Sequence, residues 1–143
     1  MHWWTAEDAT HFDAVAQPLV DQFSRYRLFA DMGINVKLTR TENIADLAGL
    51  TAAFEAYRRT LGAKANDKEY VRQQDRQFFI GFARSWRGKT RDDVLRAGLA
   101  TNDHAPENLR IATVRNLDAW YDAFDVRPGQ RLYLEPKARV RIW

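Results

Sequence analysis

At 143 residues the chain is one domain, or a piece of one, large enough to bury a core. Its 45% apolar and 29% charged residues fit a globular domain rather than a disordered or fibrous one. A net charge of only +3, with acids and bases interspersed, excludes nucleic acid as the main partner, which would need a clustered basic face; the absence of cysteine excludes disulfides, thiolate metal ligands and a cysteine nucleophile.

In chain order, two tryptophans follow Met1 and His2, and Trp3 and Trp4 read as residues that pack against something rather than as a free end. Thr5 with Asp8 gives a capping-box-like start to a first helix, expected to run to about residue 29 with Phe12, Val15, Ala16, Leu19, Phe23 and Tyr26 on one face. Pro18 should kink it. Residues 30–40 carry Gly33 and a β-type alternation, predicting a loop with a short strand.

A second helix is predicted over about 42–61, with Ile44, Leu47, Leu50, Phe54, Tyr57 and Leu61 inward and Gly62 as its left-handed end. Residues 62–68 read as a polar linker. A third helix follows over about 69–87, with Tyr70, Phe78, Phe79, Phe82 and Trp86 as its apolar stripe. Thr90 and Asp93 are expected to cap a fourth. The stretch TNDHAPENLRIATVRN reads as loop, 117–124 as a short amphipathic helix, and Arg127-Pro128-Gly129-Gln130 as a turn. YLEPKARVRIW is expected to hold a short strand. The fold class is mainly α. No run approaches a membrane span, and no leader is expected at the N-terminus.

The candidate chemistry begins with Glu42 and Asp46, one helical turn apart on one face that continues into the small residues Gly49 and Ala53. Two readings stay open from the residues alone. In one, both acids belong to a helix start, where they meet the positive end of the helix dipole. In the other, Glu42 ligates a metal and Asp46 orients a neighbouring ligand, the small residues letting a second ligand-bearing helix approach. A catalytic zinc usually takes three protein ligands. The chain has three histidines, His2, His11 and His104, none paired at i, i+4, and no HExxH, so these residues alone do not make a complete zinc site. His104 with Arg110 six residues later reads either as an exposed loop pair or as an imidazole for an oxyanion beside a guanidinium for a carbonyl. The two serines, Ser24 and Ser85, lie in no nucleophile-elbow context, and no glycine-rich phosphate loop is present.

The order of WWT, NVKLTRTENIADLAGL, FFIGFARSW, a DHAP loop with a downstream arginine, LDAWYDAFDVRPGQRLYL and a final VRIW resembles the C-terminal end of the neprilysin and endothelin-converting-enzyme family of zinc metalloendopeptidases, in a bacterial, cysteine-free form. The likeness runs from Trp3 to Trp143. It implies the C-terminal part of a zincin-type catalytic domain, with Glu42 as third zinc ligand and Asp46 hydrogen-bonded to a zinc-binding histidine. It further implies that His104 stabilises the tetrahedral oxyanion and that Arg110 holds a substrate carbonyl. In that family the HExxH helix, with two ligands and the general base, lies upstream, and intact members usually act outside the cytoplasm. The sequence departs from the pattern at Arg40 and Thr41, at Ala105, and at Ile111-Ala112-Thr113.

Two expectations follow. The first is part of a peptide-cleaving enzyme, with peptide substrates, an N-terminal portion of the catalytic domain as its partner, and weak zinc binding and no activity when alone. The second is a non-catalytic helical module that binds a partner or itself through Trp3, Trp4 and the bare face of the second helix.

Overall fold

Thr5 opens the first helix reciprocally: its hydroxyl accepts from the Asp8 N–H at 3.1 Å, and the Asp8 carboxylate accepts from the Thr5 N–H at 3.0 Å. In the computed structural model, which describes residues 3–142, helix α1 spans Ala6–Ser24 and continues through Pro18. It stops five residues before the predicted end. Arg27 reaches back to the Ser24 carbonyl at 2.7 Å, satisfying a group the helix leaves open, and the chain turns into an antiparallel ribbon of β1 (Arg27–Phe29) and β2 (Met32–Gly33).

Helix α2 spans Val36–Arg59 and starts six residues before the predicted position. Asn35 supplies the cap, its side chain accepting from the Leu38 N–H at 3.2 Å. The β-branched residues that argued for a strand are absorbed because Thr39 is buried, and burial overrides weak propensity. Glu42 and Asp46 therefore lie in the helix interior, and the reading of them as first-turn acids falls. Gly62 is left-handed (φ 55°), as expected, but residues 62–66 form a 3-10 turn rather than a linker.

Asp67 caps α3 (Lys68–Ser85) through the N–H groups of Glu69 and Tyr70. Helix α4 (Asp92–Thr101) follows Arg91 without a side-chain cap, so the predicted Thr90 cap does not form; Asp92 and Asp93 instead sit in the first turn against the dipole. The stretch read as loop contains a one-turn helix α5 (Glu107–Arg110) running into a 3-10 segment, Ile111–Asn116. Helix α6 covers Asp118–Phe124, and Gly129 (φ 88°) makes the expected turn at Arg127–Gln130 possible.

Among the described residues the predicted C-terminal strand does not form. A 3-10 turn stands at Pro136–Ala138, and the backbone groups of this stretch find side chains instead of a neighbouring strand. The Leu134 N–H donates to the Tyr121 hydroxyl at 3.0 Å, and the Val140 N–H to Asn116 Oδ1 at 2.8 Å. Asn116 also exchanges two hydrogen bonds with Gln22 of α1, at 2.8 and 3.0 Å. This buried amide pair ties three distant segments together.

The core lies where α1 packs on α2 and α3 packs on α6. Leu19 and Phe23 of α1, Leu47 and Leu50 of α2 and Phe79 of α3 are buried, and Phe54 stacks on Phe79 at 5.1 Å. Each such side chain contributes about 1.5–3 kcal/mol through removal from water. Among the described residues no helix is long and apolar enough to cross a membrane. Trp143, the end of the VRIW motif, and His2 lie outside the described residues.

Candidate active site

Helix α2 provides the floor. Its buried edge, Asn43, Ile44, Leu47 and Leu50, holds it against the core, and this fixes which way the neighbouring positions 42 and 46 point. The other wall is the segment from Asn102 to Arg110. Asn102 turns the chain by accepting the His104 N–H at 2.9 Å, and Ala105 and Leu109 are buried anchors on either side of Pro106. Pro106 precedes α5, whose single turn ends at Arg110. His104 and Arg110 are thus carried into reach of α2 by two apolar pegs.

The four residues singled out in the sequence meet as two pairs. Glu42 Oε2 lies 3.0 Å from His104 Nε2. Asp46 receives Arg110 in a fork, Nε to Oδ2 at 2.7 Å and Nη2 to Oδ1 at 2.6 Å. The Asp46 and Arg110 side chains are only 12% and 16% exposed, so the pair is largely withdrawn from water. The hydrogen bonds that Arg110 donates to Asp46 hold the guanidinium charged above its ordinary range, against the opposing effect of burial. Each Asp46 oxygen keeps a further lone pair beyond the one Arg110 uses, so the carboxylate can still accept from another donor.

Two contributors went unassigned in the sequence. Asp103 lies 2.9 Å from His104 Nδ1. A carboxylate thus stands against each ring nitrogen. The signal was present: an acid directly before the histidine. Trp86, just past α3, lays its ring against the Arg110 guanidinium at 4.0 Å. Its place in an apolar stripe concealed that contact.

Among the described residues no group of three His, Asp or Glu side chains is placed to hold a metal. Three protein ligands are the usual minimum for such a zinc. These residues therefore do not hold a catalytic zinc by themselves; Glu42, half-exposed and next to an imidazole, fits as one ligand. Over Gly49, one turn beyond Asp46, the space is open, and a Cβ placed there would meet nothing within 4 Å.

Known proteins share this arrangement of elements. The neutral endopeptidase of Lactobacillus helveticus is 34% identical over 143 residues, which is 99% of this chain and 20% of that protein. Human neprilysin is 31% identical over 149 residues, covering 99% of this chain and 19% of its own length. A crystal structure of the Mycobacterium tuberculosis zinc metalloprotease ZMP1 with an inhibitor superposes with a TM-score of 0.85 at 33% identity, over all of this chain and 23% of that one. PEPO from Lactobacillus rhamnosis gives a TM-score of 0.80 at 34% identity, over 98% of this chain and 21% of its own. The chain spans about a fifth of the length of the curated relatives it matches. The family model for peptidase family M13 matches residues 1–140, and the chain belongs to that family.

Proposed function

We propose that this chain forms one wall of the catalytic site of a zinc-dependent endopeptidase that hydrolyses peptide bonds. The observation that carries this reading is the meeting of Glu42 with His104 and of Asp46 with Arg110, in a chain of a peptidase family. Glu42 is offered as one zinc ligand. His104, poised as a donor, stabilises negative charge developing on a substrate carbonyl oxygen. Arg110 holds a backbone carbonyl of the peptide through guanidinium hydrogens not spent on Asp46. Asp46 locks Arg110 in place and keeps a lone pair for one further donor, the role expected of it toward a histidine from the remainder of the catalytic domain.

The test is a pair of measurements. The coding sequence upstream of Met1 should carry an in-frame HExxH, and the polypeptide including it should cleave a fluorogenic peptide and lose that activity to a chelator. His104→Gln should then lower kcat about 10²–10³-fold, the size of effect that follows removal of an oxyanion donor. The 143-residue chain alone should bind zinc weakly and cleave nothing; zinc-dependent cleavage by it would overturn this division of labour.

A second reading draws on one observation. Trp3 and Trp4 are 92% and 53% exposed, large apolar surfaces left in water. A non-catalytic module that associates through them would show a concentration-dependent mass by light scattering. A monodisperse monomer at high concentration would count against it.

A further inference from the structure

Helix α4 is tied to the rest of the molecule at few points. Of its ten residues only Leu99 is buried, and Val94 stands 51% exposed. A helix pinned through one buried side chain can pivot about it, and segments with so little burial open at low cost. Yet α4 ends at Thr101, and the next residue, Asn102, makes the turn that brings His104 to Glu42. A pivot of α4 is therefore passed on to the imidazole.

Arg96 supplies a second pin. Its Nη1 donates to Asp31 Oδ2 and its Nη2 to Asp31 Oδ1, both at 3.0 Å, and its guanidinium lies 4.0 Å from the centre of the Phe29 ring. Phe29 closes β1 and Asp31 stands between the two strands of the ribbon, which then runs into Asn35, the cap of α2. One side of the contact thus belongs to the segment that launches the helix of Glu42 and Asp46. The other belongs to the helix that ends at the turn of His104. We propose that Arg96, held by Asp31 and Phe29, is a positioning residue for His104 that fixes the two walls of the site against each other from outside it; the proposal rests on the peptidase reading above and deepens it.

The geometry separates this pair from an ordinary surface contact. Arg91 and Asp93, two residues apart, meet through one nitrogen at 3.4 Å, a local contact that joins nothing. Arg96 and Asp31 are 65 residues apart, meet through two prongs, and have an aromatic ring against the cation. Exposed pairs stabilise little unless their geometry is of this two-pronged kind. The hydrogen bonds from Arg96 also hold the Asp31 carboxyl below its usual range, so the pair stays charged at neutral pH.

Nuclear magnetic resonance on the isolated, isotope-labelled chain tests this without metal or turnover. The readouts are the cross-peak between the His104 ring protons and the Glu42 side chain, and amide exchange along α4. Arg96→Gln should weaken the cross-peak and speed exchange in α4 about two- to fivefold, the range open to one exposed pair, with Tm nearly unchanged. Asp31→Asn, on a different element, should do the same, and the double variant should do no more than either alone. Arg127→Gln breaks another exposed pair, with Asp125 beyond α6, and should leave both readouts as they are. In the polypeptide that includes the upstream portion, Arg96→Gln should lower kcat by a similar factor and leave KM and zinc content unchanged. A cross-peak at full strength in Arg96→Gln, an effect that Asp31→Asn does not reproduce, or faster exchange throughout α1 to α3 with a large fall in Tm would overturn the proposal. The peptidase reading fails separately: a longer polypeptide that cleaves nothing removes the enzyme, while the cross-peak still decides whether Arg96 places His104.

Discussion

Besides the exposed Arg40–Asp13 pair, two aspartate–arginine pairs anchor α2, and they behave differently. At the site end, Asp46 meets Arg110 through two nitrogens and two oxygens, at 2.6 and 2.7 Å. Toward the far end of the same helix, Arg58 meets Asp75 of α3 through a single nitrogen, Nη1, shared between both carboxylate oxygens at 3.0 and 3.1 Å. Asp75 is 4% exposed, while the Arg58 side chain is 37% exposed. The fork satisfies the charge it buries, and its dominant effect is to hold Arg110 charged. In the second pair burial wins: it pushes the Asp75 carboxyl above its ordinary value, the attraction of Arg58 pulls only part of that back, and Asp122 adds to the rise. The same two residue types therefore make a positioning clamp at one end of the helix and a partly compensated buried charge at the other.

The largest expected effect breaks the clamp. Asp46→Ala leaves Arg110 unpaired in a largely dry setting and should cost about 3–5 kcal/mol in urea unfolding. Asp46→Ala combined with Arg110→Ala should cost clearly less than the sum of the single changes, because the stranded charge goes with its partner. Additive costs would mean that the fork is not held in solution. Arg110→Lys keeps the charge but loses the two-pronged geometry, and a loss of roughly 1–2 kcal/mol is expected, between wild type and Asp46→Ala.

Arg58→Ala should cost less, roughly 1–3 kcal/mol, because an exposed arginine leaves and Asp75 can relieve its burial by taking up a proton. The sign with pH follows from the raised carboxyl. Its stability contribution is fully present below the unfolded value near 3.8 and is lost as pH rises through the higher folded value. Arg58→Ala should steepen that loss, so the deficit against wild type should shrink on acidification. Arg110, whose value is raised from an already high one, contributes evenly across the neutral range and loses its contribution only in strong alkali. Unfolding curves at a series of pH values separate the two pairs, and equal slopes for Arg58→Ala and wild type would remove the distinction.

How much of this was legible depended on whether a feature is local. The Thr5–Asp8 cap, the apolar stripes of α1 to α3 and the Gly129 turn rest on neighbours a few residues apart, and the sequence shows them. The start of α2 was misplaced because the β-type alternation of residues 30–40 reads locally as a strand and hides the Asn35 cap, and Thr39 is tolerated only through tertiary burial. Glu42 and Asp46 could be placed on one face, but a face does not name its partner: His104 and Arg110 are 62 and 64 residues away, and only the fold brings them over. The missing C-terminal strand has the same cause. Tyr121 and Asn116 satisfy its backbone from a distance, which no local pattern can announce.

The smallest expected effect tests whether the scaffold behind the site is as well satisfied as the clamp. Thr113, fully buried in the 3-10 segment that follows Arg110, has a hydroxyl without a hydrogen-bond partner among the described residues. An unpartnered buried hydroxyl costs about 1 kcal/mol or more, and valine fills nearly the same shape without it. Thr113→Val should therefore stabilise the chain by about 1 kcal/mol, a rise in Tm of a few degrees by calorimetry. The Arg110 fork should be untouched, so the loss caused by Asp46→Ala should be the same in the Thr113→Val background. If valine lowers Tm instead, the hydroxyl has a partner that holds the segment in place, and the support of Arg110 extends one turn further into the core than the fork alone.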